Sequence, residues 1–361
     1  MWGYKKRLTR DVERWTANGW LAPGGGANIL DELSRSRPTV GLASALGVLA
    51  SVLLGFAVMS FVAAHWQEMP RAARLGMLAA LIVAGYATAG WLWSRGASAL
   101  ADAAIMFGCV AFGASIMLVS QMFHIEGRPP DGVLLWMIGT AFAGVVLRSN
   151  ATLAFALVLA AAWSVMETGE RTTPHWPFLI PWALLAAAFY WQGWRPGLHL
   201  AALTLSAFVV ALGYQLNDGH AHGLVAAIGA AAALAAIGLS RLDLNYQSVT
   251  EPVFSYGLAV AYAGLFALQF VENADTTTVI VLGAISLVGL LAAISYGLMT
   301  HNPGAIWLGY IGFSIEILAL YWKTVGSILG TSVFFLIAGL LVAALAAFAW
   351  RIASRSEGAP A

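Results

Sequence analysis

Residues 99–130 read ALADAAIMFGCVAFGASIMLVSQMFHIEGRPP. From 99 to 120 the run is apolar apart from Asp102 and two serines. That is long enough to cross a bilayer as a helix, which takes about 20 predominantly apolar residues. The chain then turns polar: Gln121, His124, Glu126 and Arg128 fall within eight residues, and Pro129-Pro130 blocks continuation of the helix. Long apolar run, short polar connection, long apolar run: this alternation decides the fold.

It recurs along the chain. The sequence has 361 residues, 60% hydrophobic and 10% charged, where soluble globular chains carry about 25% charged residues. Length alone allows two or three soluble domains, but the composition predicts a polytopic membrane protein. Lipid offers the backbone no hydrogen-bond partners, so the spans are expected to be helices. The apolar ranges are 41–65, 72–93, 99–120, 132–148, 150–166, 177–193, 197–214, 221–240, 252–271, 276–299, 302–321 and 327–350. The ranges 150–166 and 177–193 sit at the short limit, and Pro174, Pro177 and Pro181 punctuate the second. The expected fold is an all-α integral membrane bundle of about 12 transmembrane helices, divided as 1–39, 40–351 and a short tail, 352–361.

The N-terminal 39 residues are polar and basic, without the early apolar stretch of a cleavable signal peptide. Leu8, Val12 and Trp15 form a helical stripe, Asn18-Gly19 stops that helix, and APGGGANILDEL (22–33) reads as a turn into a second short helix. The two make a small helical hairpin. Gly24-Gly25-Gly26 lacks the preceding strand and following Gly-Lys-Ser/Thr of a phosphate loop. With the N-terminus inside, 13 of the 18 lysines and arginines fall on the inner side and 5 on the outer. That bias predicts cytoplasmic N- and C-termini. It puts the hairpin in the cytoplasm and the connection after residue 120 outside.

FVAAHWQEMPRAARLG (61–76), SQMFHIEGRPPDGVLLWMIG (120–139) and YWKTVGSILGTSVFFLIAGLLVAALAAFAW (321–350), following that hairpin, resemble the bacterial membrane-protein family catalogued as domain of unknown function 2157. The formal domain covers the first third or so of the chain. The terminal helix is similar to that of multi-span proteins often encoded beside proteins with a Gly-Asp-Tyr signature. The resemblance implies a multi-pass bacterial inner-membrane protein and brings no catalytic residues or substrate.

Glu316, in GFSIEILALYW, is the sharpest candidate. Ala305, Gly309, Gly312, Glu316, Ala319 and Lys323 recur at three- and four-residue spacing on one helical face. Small residues mark close helix packing, so Glu316 is expected to face the bundle interior, where acids are functional hypotheses by default; a structural acid reaching Lys323 is the plainer alternative. Gln121, His124, Glu126 and Arg128, with His65, Glu68 and Arg71 from the preceding outer connection, form a candidate outer binding pocket above Glu316, for an anionic or zwitterionic solute or for protons. Ordinary interfacial polarity is the plainer account. His220 and His222, near Asp218, read as a solvated loop with too few ligands for a metal.

No cofactor or metal is expected. Cys109 stands alone, so no intrachain disulfide forms, and it reads as a packing residue. Nucleophile-elbow and Walker signatures are absent, and a net charge of +1 gives no reason to expect nucleic acid. Enzyme chemistry is therefore not expected. Two functional classes remain. One is a permease-like binder or transporter of a small solute or ion. The other is a membrane scaffold, sensor or assembly factor whose hairpin binds a membrane-protein partner, with homo-oligomerisation open. In either class the lipid bilayer is the surrounding partner.

Overall fold

The computed structural model describes residues 2–22, 24–35, 70–171, 173–242, 247–272, 274–300 and 302–324, with a few single helical positions between 46 and 60 and at Gly339. The expected spans 41–65 and 327–350 lie essentially outside the described residues. Among those residues the chain is all α, without a strand. The helices are α1 (Trp2–Ala17), α2 (Gly25–Arg35), α3 (Arg71–Ser94), α4 (Ser98–Phe123), α5 (Pro129–Val146), α6 (Asn150–Arg171), α7 (Leu179–Trp191), α8 (Arg195–Gln215), α9 (His222–Leu242), α10 (Gln247–Phe270), α11 (Thr276–Thr300) and α12 (Pro303–Thr324). Nine of them, α3–α6 and α8–α12, are long and apolar enough to cross a membrane. The exception in the apolar region is α7. A 3-10 turn at Trp176–Phe178 precedes it, Pro174 and Pro177 lie ahead of its start and Pro181 in its first turn, and it has 13 α-helical residues.

The chain divides into two compact units, Met1–Ile125 and Glu126–Ala361. The boundary falls inside the polar connection that follows α4. In the first unit α1 ends where the sequence predicts. Gly19 turns left-handed at φ 71°, and the Trp20 N–H returns to the Trp15 carbonyl at 2.9 Å. Val12 is buried on α1, and Gly26 of α2 lies against Val12 and Thr16. Helices α3 and α4 meet where Gly85 faces the backbone of Gly108. Cys109 is buried beside that crossing, 3.5 Å from the Tyr86 hydroxyl.

In the second unit α5 and α6 pack around Val133, Met137, Leu153, Leu157 and Ala160, and the core continues through Phe178, Leu185 and Phe189 to Ala201 on α8. The Trp182 indole N–H ties α7 to α8 by donating to the Ala201 carbonyl at 2.8 Å. The tightest pair is α9 with α10. A Cβ on Gly229 would stand 2.2 Å from the Ala261 backbone nitrogen, and one on Gly264 would stand 2.4 Å from that of Ala226. Only glycine permits backbones this close. Helix α12 lies against α11 and α10; Asn302 caps it, its Oδ1 accepting the Ala305 N–H at 3.1 Å.

Candidate functional site

The candidate pocket residues divide between the two units. In the first, Arg71 opens α3 and Gln121 lies in the last turn of α4, both exposed. His124, also exposed, is the left-handed cap of α4 (φ 50°, ψ 44°). His65 and Glu68 lie outside the described residues. In the second unit Glu126 is exposed, whereas Arg128 and Glu316 belong to two separate polar groups.

The first group gathers at the N-terminus of α5 and the C-terminus of α6. Arg128 caps α5, ahead of Pro129 and Pro130, which occupy positions where a missing N–H costs nothing. Its Nη2 donates to Glu167 Oε1, and its Nε donates to Glu170 Oε2 at 3.1 Å. Arg171 Nε stands 2.9 Å from the other Glu167 oxygen. One buried carboxylate thus holds two guanidiniums. Helix α6 runs to Arg171, past the apolar limit of 166 read from sequence, and the Glu167–Arg171 pair spans its last turn at i,i+4. His175 follows, buried, its ring edge-on to Trp163 with centroids 4.3 Å apart. Burial holds the His175 imidazole below its ordinary value; nearby Glu167 pulls it back up, while Arg171 and Arg128 push it further down. These side chains and Asp131 line a cavity of about 310 Å³.

The second group surrounds Glu316. As the small-residue spacing predicts, Ala305, Gly309, Gly312 and Glu316 are all buried along one face of α12. Gly309 lies against the Leu290 carbonyl and Gly312 against the Leu290 and Tyr262 side chains. Glu316 has no solvent exposure, and neither of its oxygens has a hydrogen-bond partner among the described residues. Tyr262 and Gln269 of α10 are its polar neighbours, but their hydrogens go elsewhere. The Tyr262 hydroxyl donates to the Gly312 carbonyl at 3.0 Å. The Gln269 amide nitrogen donates to the Leu265 carbonyl at 3.2 Å and to Ser286 Oγ at 3.3 Å. The Leu265 carbonyl fixes the orientation of that amide, since a flip would set oxygen against oxygen. Gln269 Oε1 is therefore also buried without a donor. Three acceptor oxygens, two from Glu316 and one from Gln269, share this neighbourhood. Lys323 does not close the gap: its Nζ stands over the Phe270 ring, 5.8 Å from the centroid.

Sequence reasoning missed Glu167, Gln269 and Tyr262. Gln269 was the most accessible, because an amide inside an otherwise apolar span is itself a signal. It also misread His222. His220 and Asp218 are exposed as expected, but His222 is buried at the start of α9, with its Nδ1 2.8 Å from Glu272 Oε1. Gly213 makes room for the ring, since a Cβ there would meet His222 Cδ2 at 2.7 Å. No cluster of metal-ligating side chains occurs among the described residues.

Residues 13–153 match the model of a family described as "Predicted membrane protein (DUF2157)". It is the membrane family of unknown function that the sequence resembles. The match begins within α1, takes in α2–α5 and ends early in α6, so Glu167, Gln269 and Glu316 lie beyond it. Comparisons with curated proteins and with solved structures find no match.

Proposed function

We propose that this membrane protein is a permease-like binder or transporter of a small solute or ion, with Glu316 as its internal carboxylate. We further assign it to the bacterial inner membrane, with both termini cytoplasmic and no catalytic step of its own. The observation that carries the reading is the donor-free acceptor group: Glu316 Oε1 and Oε2 with Gln269 Oε1. An ionised carboxylate buried without a donor is strongly unfavourable. A proton or a small monovalent cation relieves that cost, and the neutral oxygens of Gln269 and Ser286 suit a hard cation. A site that is stable only when loaded is the core of a carrier for that ion.

The reading requires water to reach residue 316. In a Cys109→Ser background, Glu316→Cys is expressed in bacterial cells and exposed to a membrane-impermeant maleimide, with Gly127→Cys as the loop control. Labelling at 316 is expected. Labelling of the control alone would transfer support to a second reading, a scaffold or assembly factor. That second reading draws on the α1–α2 pair, where Trp20 is 70% exposed and Ile29 and Leu30 are only half-buried. It predicts a partner protein that co-purifies with the full chain and is lost on deleting residues 1–36.

A further inference from the structure

We propose that the cavity at the end of α6 binds a small zwitterion of amino-acid size, taking its carboxylate on Arg128 and its ammonium on Asp131. The cavity is built from α5, α6 and the turn that follows, and shares no lining residue with the Glu316 group. The proposal therefore stands whether or not Glu316 exchanges an ion.

The charge of the lining selects the ligand class. It contains two guanidiniums, Arg128 and Arg171, and two carboxylates, Asp131 and Glu167. A simple anion would meet both acids, and a simple amine both arginines. A zwitterion pairs with each sign at once. The internal hydrogen bonds leave a grip of each sign open. Arg128 spends Nε on Glu170 and Nη2 on Glu167. Its Nη1 keeps two donors, and a carboxylate is the geometric match for a guanidinium edge. Asp131, in the first turn of α5, is exposed and its carboxylate makes no hydrogen bond or ion pair among the described residues.

A second observation comes from the same lining. Trp163 and His175 line the cavity, each more than nine-tenths buried, and each carries a ring nitrogen without a hydrogen-bond partner (Nε1 and Nδ1). Such orphaned polar atoms are uncommon in a settled interior. A polar solute supplies them with partners, while Pro174 and Pro177 add an apolar wall. The volume of about 310 Å³ stands at the low end for ligand pockets, which run about 300–1,000 Å³. That suits an amino acid and is small for a nucleotide.

The test is isothermal titration calorimetry of the full-length protein in detergent micelles, where both faces are accessible. The probes are glycine and L-alanine as zwitterions, acetate as the anion alone and methylammonium as the cation alone. Glycine or L-alanine is expected to bind roughly tenfold or more tightly than either single charge, as one added charged hydrogen bond implies. Asp131→Asn should weaken that binding by a similar factor. It should lower the melting temperature of the ligand-free protein only slightly, by the loss of one acid in the first turn of α5, because the Arg128–Glu167–Arg171 cluster is untouched. Arg128→Lys, which keeps the charge but loses the fork, should weaken glycine binding more than Asp131→Asn does. The proposal is overturned if none of these probes binds, if acetate or methylammonium binds as well as glycine, or if Asp131→Asn leaves glycine binding intact.

Discussion

Glu167 and Glu316 are both buried glutamates on helices of the same unit, and they differ in what surrounds them. Glu167 sits near the end of α6, where the half-exposed Arg128 donates a hydrogen bond to one oxygen and the exposed Arg171 forms an ion pair with the other, which has no hydrogen bond among the described residues. Glu316 sits deeper along α12, among Leu290, Tyr262 and Gln269, and receives no hydrogen bond among the described residues. Burial therefore does not by itself say what an acid is for. A paired acid is part of how the helices are held. An unpaired one needs something that the described residues do not supply, and that need is the physical content of the proposal at Glu316.

The largest expected effect breaks this comparison directly. Glu167→Gln takes away the carboxylate shared by Arg128 and Arg171 and leaves Arg128 only Glu170, so the charge-assisted contacts between the end of α6 and the start of α5 are lost. Its melting temperature should fall the most of any substitution considered below. Glu316→Gln should move the other way. The amide removes a buried charge and offers its own N–H to Gln269 Oε1, for a change between neutral and a gain of about 1 kcal/mol. Thermal unfolding of both variants in one detergent measures the contrast. Equal losses would mean that Glu316 is held as firmly as Glu167, and the carrier reading would lose its basis.

A smaller effect comes from His175, beside the paired acid. Burial and the two arginines hold it below the usual histidine value of 6.5, against the pull of Glu167. The folded protein thus takes up its proton at lower pH than the unfolded chain does. The stability this represents is complete above about pH 6.5 and is lost as pH falls from there through the folded value. The melting temperature should drop between pH 7.5 and 5.5, and His175→Gln should flatten that drop. Glu167→Gln should steepen it, because the one group that favours the imidazolium is gone. A slope indifferent to both substitutions would show that another group governs this pH range.

The same contrast marks what was legible in the sequence. The apolar ranges between 72 and 321 foretold the helices there, because burial in lipid writes itself into composition, residue by residue. The buried face of α12 was legible for a related reason: close packing demands small side chains, and Ala305, Gly309 and Gly312 record it at helical spacing. Arg128 was visible as a polar residue, but its partner was not. Glu167 lies 39 residues away, in a stretch that resembles any solvated helix end, and only the packing of α5 on α6 turns it inward. His222 was misread on similar grounds, since loop spacing says nothing about the room left by Gly213 or the reach of Glu272. The glycines at 229, 257 and 264 carried a packing signal like that of α12, and the α9–α10 contact is where it is spent.

The smallest effect calibrates the lower end of the comparison. Asp275 is an exposed acid whose partners are all local. Its Oδ1 accepts the Thr278 hydroxyl at 2.6 Å, and its Oδ2 accepts the backbone N–H groups of Thr277 and Thr278 at 3.1 and 3.4 Å. This is an N-cap on α11. The hydroxyl and backbone bonds of Thr278 hold its carboxyl below the usual aspartate value of 3.8. The cap is at full strength above that value and weakens as pH falls through the folded one. Asp275→Asn retains a capping oxygen and loses only the charge at the helix N-terminus, so its melting temperature at pH 7 should lie just below that of the parent. The difference should shrink as pH falls below 3.8 and through the lower folded value, where the aspartate loses its charge. If Asp275→Asn costs as much as Glu167→Gln, local capping rivals the buried cluster, and the separation drawn between paired and unpaired acids would rest on helix ends alone.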